Sequence, residues 1–287
     1  MIAADYEYEQ YLTKYGLTAG GFTQMELLAV ATAREIPNQA FAFVGTGLPL
    51  LAAGLAQRTM APDMTVILEA GTIGPQIRHL PVSVADPRAA YQASVLSTMA
   101  DAFGTIANRG YCTLGVLGAA ECDKYGNLNS TSVGGYWPAR VSPNGMGPAT
   151  RLTGSGGANS IASLADKIIV MMVHEKRRMP DRVEYLTTVT GRRGPAGESR
   201  FDYGIYRGGD TVVISDLGIL RPNNMTGILE LDRYYPGIPP EFIRENTGWD
   251  LNIAGARELQ PPTMEELRIL RMLVDPDRLY LGRQSKR

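Results

Sequence analysis

Residues Thr23 to Ile36 carry one stripe at helical spacing, in which Leu28, Ala29, Thr32, Ala33 and Ile36 fall at i, i+4 and i+8. Thr23 and Glu26 add the S/T-x-x-E pattern, in which each side chain satisfies a free N–H of a first helical turn, so the pattern predicts a helix over Thr23–Ile36. Beyond it the apolar positions change character and gather into short runs. Phe41–Val44, Thr65–Leu68, Leu114–Leu117, Ile168–Val173, Val183–Val189, Thr211–Ser215 and Ile228–Leu231 read as strands. Between them lie helical segments: Leu48–Gln57, a stretch from the Asp86-Pro87 cap to about Phe103, and a glycine loop running into a helix over Gly154–Ala165. Further helices are expected near Pro239–Asn246 and over Thr263–Leu273, the last with a second capping box in Thr263 and Glu266. From Asp123 to about Thr150 the chain is a loop rich in Gly, Asn and Pro. Short apolar strands alternating with helices predict an α/β fold, a mostly parallel sheet with helices on both faces. Residues 1–20, rich in Tyr and Glu, are expected to form an N-terminal extension or partner-contacting arm, and residues 21–287 one domain.

Composition narrows the classes of function. The 287 residues are 44% hydrophobic and 20% charged, ordinary globular values that exclude disorder as the main state. A formal charge of −1 leaves no electrostatic footprint for nucleic acid or an anionic membrane. Pro37 to Gln57 is uncharged, but Gly45, Gly47, Pro49 and Gly54 punctuate it as strand, turn and helix rather than a spanning segment. The first fifteen residues carry Asp5, Glu7 and Glu9 and lack the basic start and apolar run of a leader, so a cytoplasmic location is expected. Cys112 and Cys122 fit no zinc or redox spacing, and two idle thiols suit a reducing compartment.

In a parallel sheet, chemistry gathers at the carboxyl ends of the strands. Three places qualify: after Val44, after Leu68, and the approach to the helix at Ser160. Glu69 directly follows the apolar run Val66-Ile67-Leu68, where a rigidly held carboxylate can act as base or nucleophile or merely close a turn. Gly45-Thr46-Gly47-Leu48-Pro49 has the strand-to-helix layout of a phosphate site, but it is neither G-x-G-x-x-G nor a Walker loop, and it serves equally as a tight turn. Gly154-Ser155-Gly156-Gly157-Ala158 lets the backbone approach a ligand and aim N–H groups at an oxygen, as in an oxyanion hole. His79 and His174 have no metal-ligand companions, so no metal site is expected. Ser155 and Ser160 lack a G-x-S-x-G context, and Glu175-Lys176-Arg177-Arg178 reads as a solvated loop.

Taken in order, these segments resemble the small, or B (β), subunits of the glutaconate CoA-transferase family, the family I CoA-transferases. Val44-Gly45-Thr46-Gly47-Leu48-Pro49 is similar to that subunit's first turn, and Ile67-Leu68-Glu69-Ala70-Gly71 to the segment with its nucleophilic glutamate. Gly118 to Thr131 resembles the family's G-A-x-x-x-D-x-Y-G-N-x-N segment, Thr153 to Asn159 its glycine loop, and His174 to Arg178 the stretch beyond. The resemblance implies a NagB/RpiA/CoA-transferase-like fold and a catalytic Glu69. It implies an oxyanion or CoA loop at Gly154, Ser155, Gly156, Gly157 and Ala158, and substrate or CoA contacts from Gly45, Thr46, Gly47, Asn127 and Asn129. It further implies a homologous A (α) subunit in a hetero-oligomer, and no cofactor beyond coenzyme A thioesters as substrates. CoA transfer between carboxylic acids by a ping-pong route through a glutamyl-CoA thioester is the expected activity. An acyl-CoA or ring-opening hydrolase subunit, or a non-catalytic assembly subunit, stands as the alternative. The arm to Gly20 and the Pro- and Gly-rich stretch Tyr136–Pro148 depart from the family pattern.

Overall fold

The first helical signal folds as the sequence requires. Thr23 Oγ1 accepts the Glu26 N–H at 3.2 Å while the Glu26 carboxylate accepts the Thr23 N–H at 2.8 Å, closing the capping box. The chain is described by a computed structural model covering residues 2–136, 147 and 149–282. Its helices are α1 (Ile2–Tyr15), α2 (Gln24–Arg34), α3 (Leu48–Arg58), α4 (Ala158–Leu164), α5 (Pro240–Glu245) and α6 (Met264–Ile269). The first nine strands are β1 (Phe41–Val44), β2 (Thr65–Ile67), β3 (Thr72–Ile73), β4 (Val95–Leu96), β5 (Leu114–Gly118), β6 (Glu121–Cys122), β7 (Leu128–Asn129), β8 (Ser132–Val133) and β9 (Thr150–Arg151). The remainder are β10 (Lys167–Met172), β11 (Asp210–Ser215), β12 (Gly218–Pro222), β13 (Leu229–Tyr234) and β14 (Arg257–Glu258).

One sheet runs in the order β14-β13-β12-β11-β10-β5-β1-β2-β3-β4, with β6–β7 and β8–β9 as separate antiparallel pairs. Its centre, β2-β1-β5-β10-β11, is parallel throughout. Antiparallel β12 and β13 extend one side, with β14 parallel to β13, and antiparallel β3 and β4 extend the other. Side chains alternate across the central strands. Ala42, Val44, Val66, Val116, Ile169 and Ile214 pack under α2 and α3, while Phe43, Ile67, Leu117, Ile168, Val170 and Val213 pack under α4 and α5. Two covered faces are why these strands read as near-continuous apolar runs. Each fully buried Leu, Ile, Val or Phe contributes roughly 1.5–3 kcal/mol, so the two cores rather than hairpin propensity hold the sheet. No helix among the described residues is long and apolar enough to cross a membrane.

Two expectations are corrected. The helix expected from Asp86 to Phe103 is a single turn, Pro87–Ala90, capped by the Asp86 carboxylate on the Arg88 N–H. Gln92 then adopts φ 49, which interrupts helical winding, and the chain enters β4 before a π-helical segment, Asp101–Ala107. Val183–Val189 forms no ladder strand; Thr187 and Thr188 instead exchange backbone hydrogen bonds with Leu128. The N-terminal arm is the helix α1, and Tyr8 and Tyr11 turn into the molecule. There the guanidinium of Arg271, fully buried, reaches the Tyr8 hydroxyl at 3.0 Å, the Thr18 and Gly21 carbonyls at 3.1 and 2.6 Å, and the Glu26 carboxylate at 2.8 and 3.0 Å. All five of its N–H donors are used. Most of the Tyr136–Pro148 stretch lies outside the described residues. Cys112 and Cys122 are free and buried, and burial pushes the Cys112 thiol up to about 11.

Candidate functional site

Glu69 sits at the tip of the turn between β2 and β3. The Leu68 N–H donates to the Thr72 carbonyl and the Gly71 N–H to the Leu68 carbonyl, both at 2.9 Å. Gly71 has φ +105, and a Cβ there would collide with the Ser97 carbonyl of the segment following β4. The Ser97 N–H and Oγ both donate to the Gly71 carbonyl, at 3.0 and 2.9 Å. The Glu-Ala-Gly order therefore has a mechanical basis: only glycine permits the close approach that pins the turn, and the pinned turn fixes the direction of a half-buried Glu69.

The glycine loop arrives from the other side. The Gly154 N–H donates to the Ser130 carbonyl at 2.8 Å, and the Ala158 N–H to the Ser155 carbonyl at 3.0 Å. Between these anchors Gly154 (φ +94) and Gly156 (φ +49) turn the chain so that Gly156 and Gly157 face Glu69. A Cβ on Gly156 would lie 3.6 Å from Glu69 Oε2. One on Gly157 would lie 3.1 Å from Glu69 Cδ and 2.8 Å from Phe103 Cζ. The carboxyl group thus rests directly against the Gly156-Gly157 backbone, and among the described residues neither of those N–H groups donates to a partner. Phe103 stacks on Phe43 with centroids 4.7 Å apart and an interplanar angle of 13°, making an apolar wall beside the carboxyl group. Sequence reasoning missed Phe103, which it treated as the last turn of an uninterrupted helix. The Gly104-Thr105 pair after it is the one local sign that the winding is irregular.

The remaining expected residues fall elsewhere. Gly45, Thr46 and Gly47 also lie at the carboxyl end of the sheet, after β1, but the Gly45 N–H is taken by the Val116 carbonyl at 3.0 Å. Gly47, with φ +89, starts α3 beside Tyr280. Asn127 and Asn129 are fully buried. The Asn127 amide donates to both Asp123 carboxylate oxygens at 3.2 Å and to the Arg193 carbonyl at 3.0 Å. The Asn129 amide donates to Glu121 at 2.6 Å and to the Ser132 carbonyl at 2.8 Å. They brace the β6–β7 hairpin, whose following residue Ser130 anchors Gly154, so they reach the site through the scaffold rather than by contact. Burial pushes the Asp123 carboxyl up to about 6 even though the Tyr125 and Asn127 N–H groups favour its charged form. His174 is buried between the Ser215 and Thr247 hydroxyls, each 3.0 Å away, and His79 is exposed at a distant turn. Among the described residues no group of three or more His, Cys, Asp or Glu is placed to hold a metal.

A groove of about 510 Å³ opens where β5 ends, lined by Gly118, Ala119, Ala120, Ser130, Arg151, Leu152 and Thr153. It runs up to the first residue of the glycine loop. A larger groove, about 740 Å³, lies between the end of α1 and the C-terminal segment and includes neither Glu69 nor the loop. Size alone therefore does not mark the site.

Known proteins resemble this chain over most of its length. The B subunit of glutaconate CoA-transferase from Acidaminococcus fermentans is 36% identical over 265 residues, 91% of this chain and 95% of its own. The B subunit of 3-oxoadipate CoA-transferase from Pseudomonas knackmussii is 34% identical over 253 residues, 88% of this chain and 93% of its own. The crystal structure of the A. fermentans glutaconate enzyme superposes with a TM-score of 0.82 at 36% identity, covering 92% of this chain and 99% of that one. The coenzyme A transferase family model matches residues 25–246, a span containing Glu69, Phe103 and the whole glycine loop. On the strength of that span and those relatives, the chain belongs to the coenzyme A transferase family.

Proposed function

We propose that this chain is the β subunit of a CoA-transferase and that Glu69 carries first the acyl group and then coenzyme A. The observation that supports it most directly is the Glu69 carboxyl group packed against the backbone of Gly156 and Gly157, whose N–H groups have no partner among the described residues. A Glu69 oxygen attacks the carbonyl carbon of the donor acyl-CoA, the C–S bond breaks, and CoA leaves as thiolate from a mixed anhydride. The thiolate then attacks Glu69 Cδ, the bond from Cδ to the bridging oxygen breaks, and the donor acid departs as a carboxylate. The acceptor carboxylate runs the same steps in reverse. Protons and electrons balance throughout, and the energy of the thioester is kept, so no further cofactor is required. Each step passes through an oxyanion, and the Gly156 and Gly157 N–H groups are its donors. Loss of one such donor typically costs about 10²–10³ in rate. The Phe103–Phe43 wall keeps water from one flank of the carboxyl group, which protects the acyl intermediates from hydrolysis.

A homologous α subunit completes the site, since both relatives are named as one of two kinds of chain in their enzymes. The reducing cytoplasm is the compartment that suits two free, buried thiols. The hydrolase reading would use the same glutamyl thioester with water as acceptor, and it is not favoured by relatives that are both named transferases. The assembly-subunit reading leaves the placement of Glu69 without a purpose. Trapping tests the proposal. Incubating the αβ complex with acyl-CoA and then borohydride should inactivate it and leave the reduced side chain at Glu69 in peptide mass spectra. An adduct on another residue, or transfer retained in Glu69→Ala, would falsify it.

A further inference from the structure

Residues 187–191 belong to no strand of the sheet, yet both ends of the glycine loop are tied to them. At the loop's entry, the Ser130 carbonyl accepts the Gly154 N–H, and the Ser130 N–H in turn donates to Thr187 Oγ1 at 2.9 Å. The Thr131 and Thr187 hydroxyls lie 2.8 Å apart beside this link. At the loop's exit, the Asn159 side-chain amide donates to the Thr187 carbonyl at 3.0 Å. Thr187 is itself buried, and its N–H donates to the Leu128 carbonyl at 3.0 Å, so both tethers end on a fixed point. The far end of α4 meets the same stretch. There the buried Arg200 guanidinium donates to the Thr190 and Gly191 carbonyls at 2.9 and 2.8 Å and to the Ala162 carbonyl at 3.3 Å.

Such anchoring answers a weakness of the loop. Gly154 and Gly156 both have positive φ, and glycine has more backbone freedom than any other residue. α4 is seven residues long, and Gly157 at its start has no side chain with which to cap the first turn. Asn159 is exposed and adds little to the core. What it supplies is a fixed distance between the first turn of α4 and a buried carbonyl. Gly156 and Gly157 lie between the two tethers, so the tethers set where this backbone stands against the Glu69 carboxyl group. We propose that Asn159 and Thr187 are positioning residues for CoA transfer, a clamp that holds the Gly156-Gly157 backbone in the place its oxyanion role requires. The inference rests on the proposed roles of Glu69 and the glycine loop. A shift of about 1 Å in such a constellation costs about 10²-fold, so loss of one tether of two should cost about tenfold in kcat.

The test uses the assembled αβ complex. Asn159→Leu keeps the size of the side chain and removes its donor. Its kcat should fall about tenfold at unchanged KM, with the thermal midpoint of the complex unmoved. Thr187→Val, which takes the hydroxyl from the Ser130 N–H, should lower kcat too, and Thr187→Ser, which returns a hydroxyl, should restore it. An unchanged kcat in Asn159→Leu overturns the proposal. So does a raised KM at unchanged kcat, which would make Asn159 a substrate contact, or activity lost only in step with a lowered thermal midpoint, which would make it a structural residue. Equal losses in Thr187→Val and Thr187→Ser also count against the clamp. Borohydride trapping on the same preparations separates the two readings. A Glu69 adduct that forms in Asn159→Leu as fast as in wild type sinks this inference alone. A missing adduct in the wild-type complex sinks the Glu69 reading, and hydrogen exchange at the Gly154 and Ala158 amides then decides the clamp by itself. Exchange should quicken in Asn159→Leu, and equal protection in variant and wild type overturns the proposal.

Discussion

Gly157 is the residue on which the site's geometry turns most narrowly. Its φ of −77 is open to any amino acid, so the constraint on it is contact alone: one methyl group would press on both the Phe103 ring and the Glu69 carboxyl carbon. Gly157→Ala should therefore fold and assemble normally while displacing Glu69 from its place against the loop backbone. Displacements of that order cost about 10²-fold in rate. Stopped-flow measurement of glutamyl-thioester formation reads this directly, and a rate within a few-fold of wild type would remove the loop from the catalytic step. Glu69 and the glycine loop were legible as separate motifs because each carries its own local signature, an acid after an apolar run and three glycines in four residues. Their contact was not legible, since 87 positions separate Glu69 from Gly156 and only the crossovers of the sheet join them. Phe103 left a weaker trace. An aromatic in a broken helix gains meaning only from neighbours distant in sequence.

Among elements, α1 departs furthest from its sequence reading. Four tyrosines and three acids near a terminus read as an extension or partner-contacting arm, and Tyr8 and Tyr11 are buried within the chain while Tyr15 leans on Tyr11 with centroids 4.8 Å apart. What draws the helix in is Arg271, whose burial became affordable only once α2, the Thr18–Gly21 turn and α1 each supplied acceptors. Such long-range pairing leaves no periodic mark in the chain. Arg271→Ala leaves Glu26 buried with Arg278 as its remaining cationic partner, at 3.3 Å, and should lower unfolding stability by about 3–5 kcal/mol in urea titrations. Burial alone would raise the Glu26 carboxyl, but the Arg271 guanidinium and the Thr23 N–H outweigh it and hold the group below its ordinary 4.5. A depressed carboxyl value stabilises the fold above the ordinary range and loses that contribution as pH falls through the folded-state value. Hydrogen exchange in α1 should accordingly rise below pH 4.5 in wild type, and much less steeply in Arg271→Ala. The central strands, by contrast, were legible to within a residue or two, because burial on both faces writes an unbroken apolar run. The two-residue strands β3, β4 and β14 were not, being too short to show a period.

For the molecule as a whole, the parallel centre of the sheet puts Glu69 and the glycine loop along one end, while the antiparallel flanks extend the sheet sideways. Beside the Glu69 turn, the edge strand β4 exposes Val95 and Leu96, with Met99 close behind. A turn bordered by exposed apolar residues calls for a second body to exclude water, and under the proposed mechanism the glycine loop supplies one set of oxyanion donors. The purified chain alone should show no CoA exchange between acids, and addition of the α subunit should restore it. Full transfer by the isolated chain would mean that the site is complete without a partner. The sealed position of Cys112 and Cys122 bears on life as such an enzyme. Burial raises the Cys122 thiol well above its ordinary value, as it does that of Cys112, so thiolate is scarce at both and neither sulfur meets solvent. A protein that works among coenzyme A molecules is bathed in a reactive thiol and its oxidised dimer. This chain presents them with no exposed thiol, so its own cargo finds no sulfur here for a mixed disulfide, and under the proposed mechanism covalent attachment falls to Glu69.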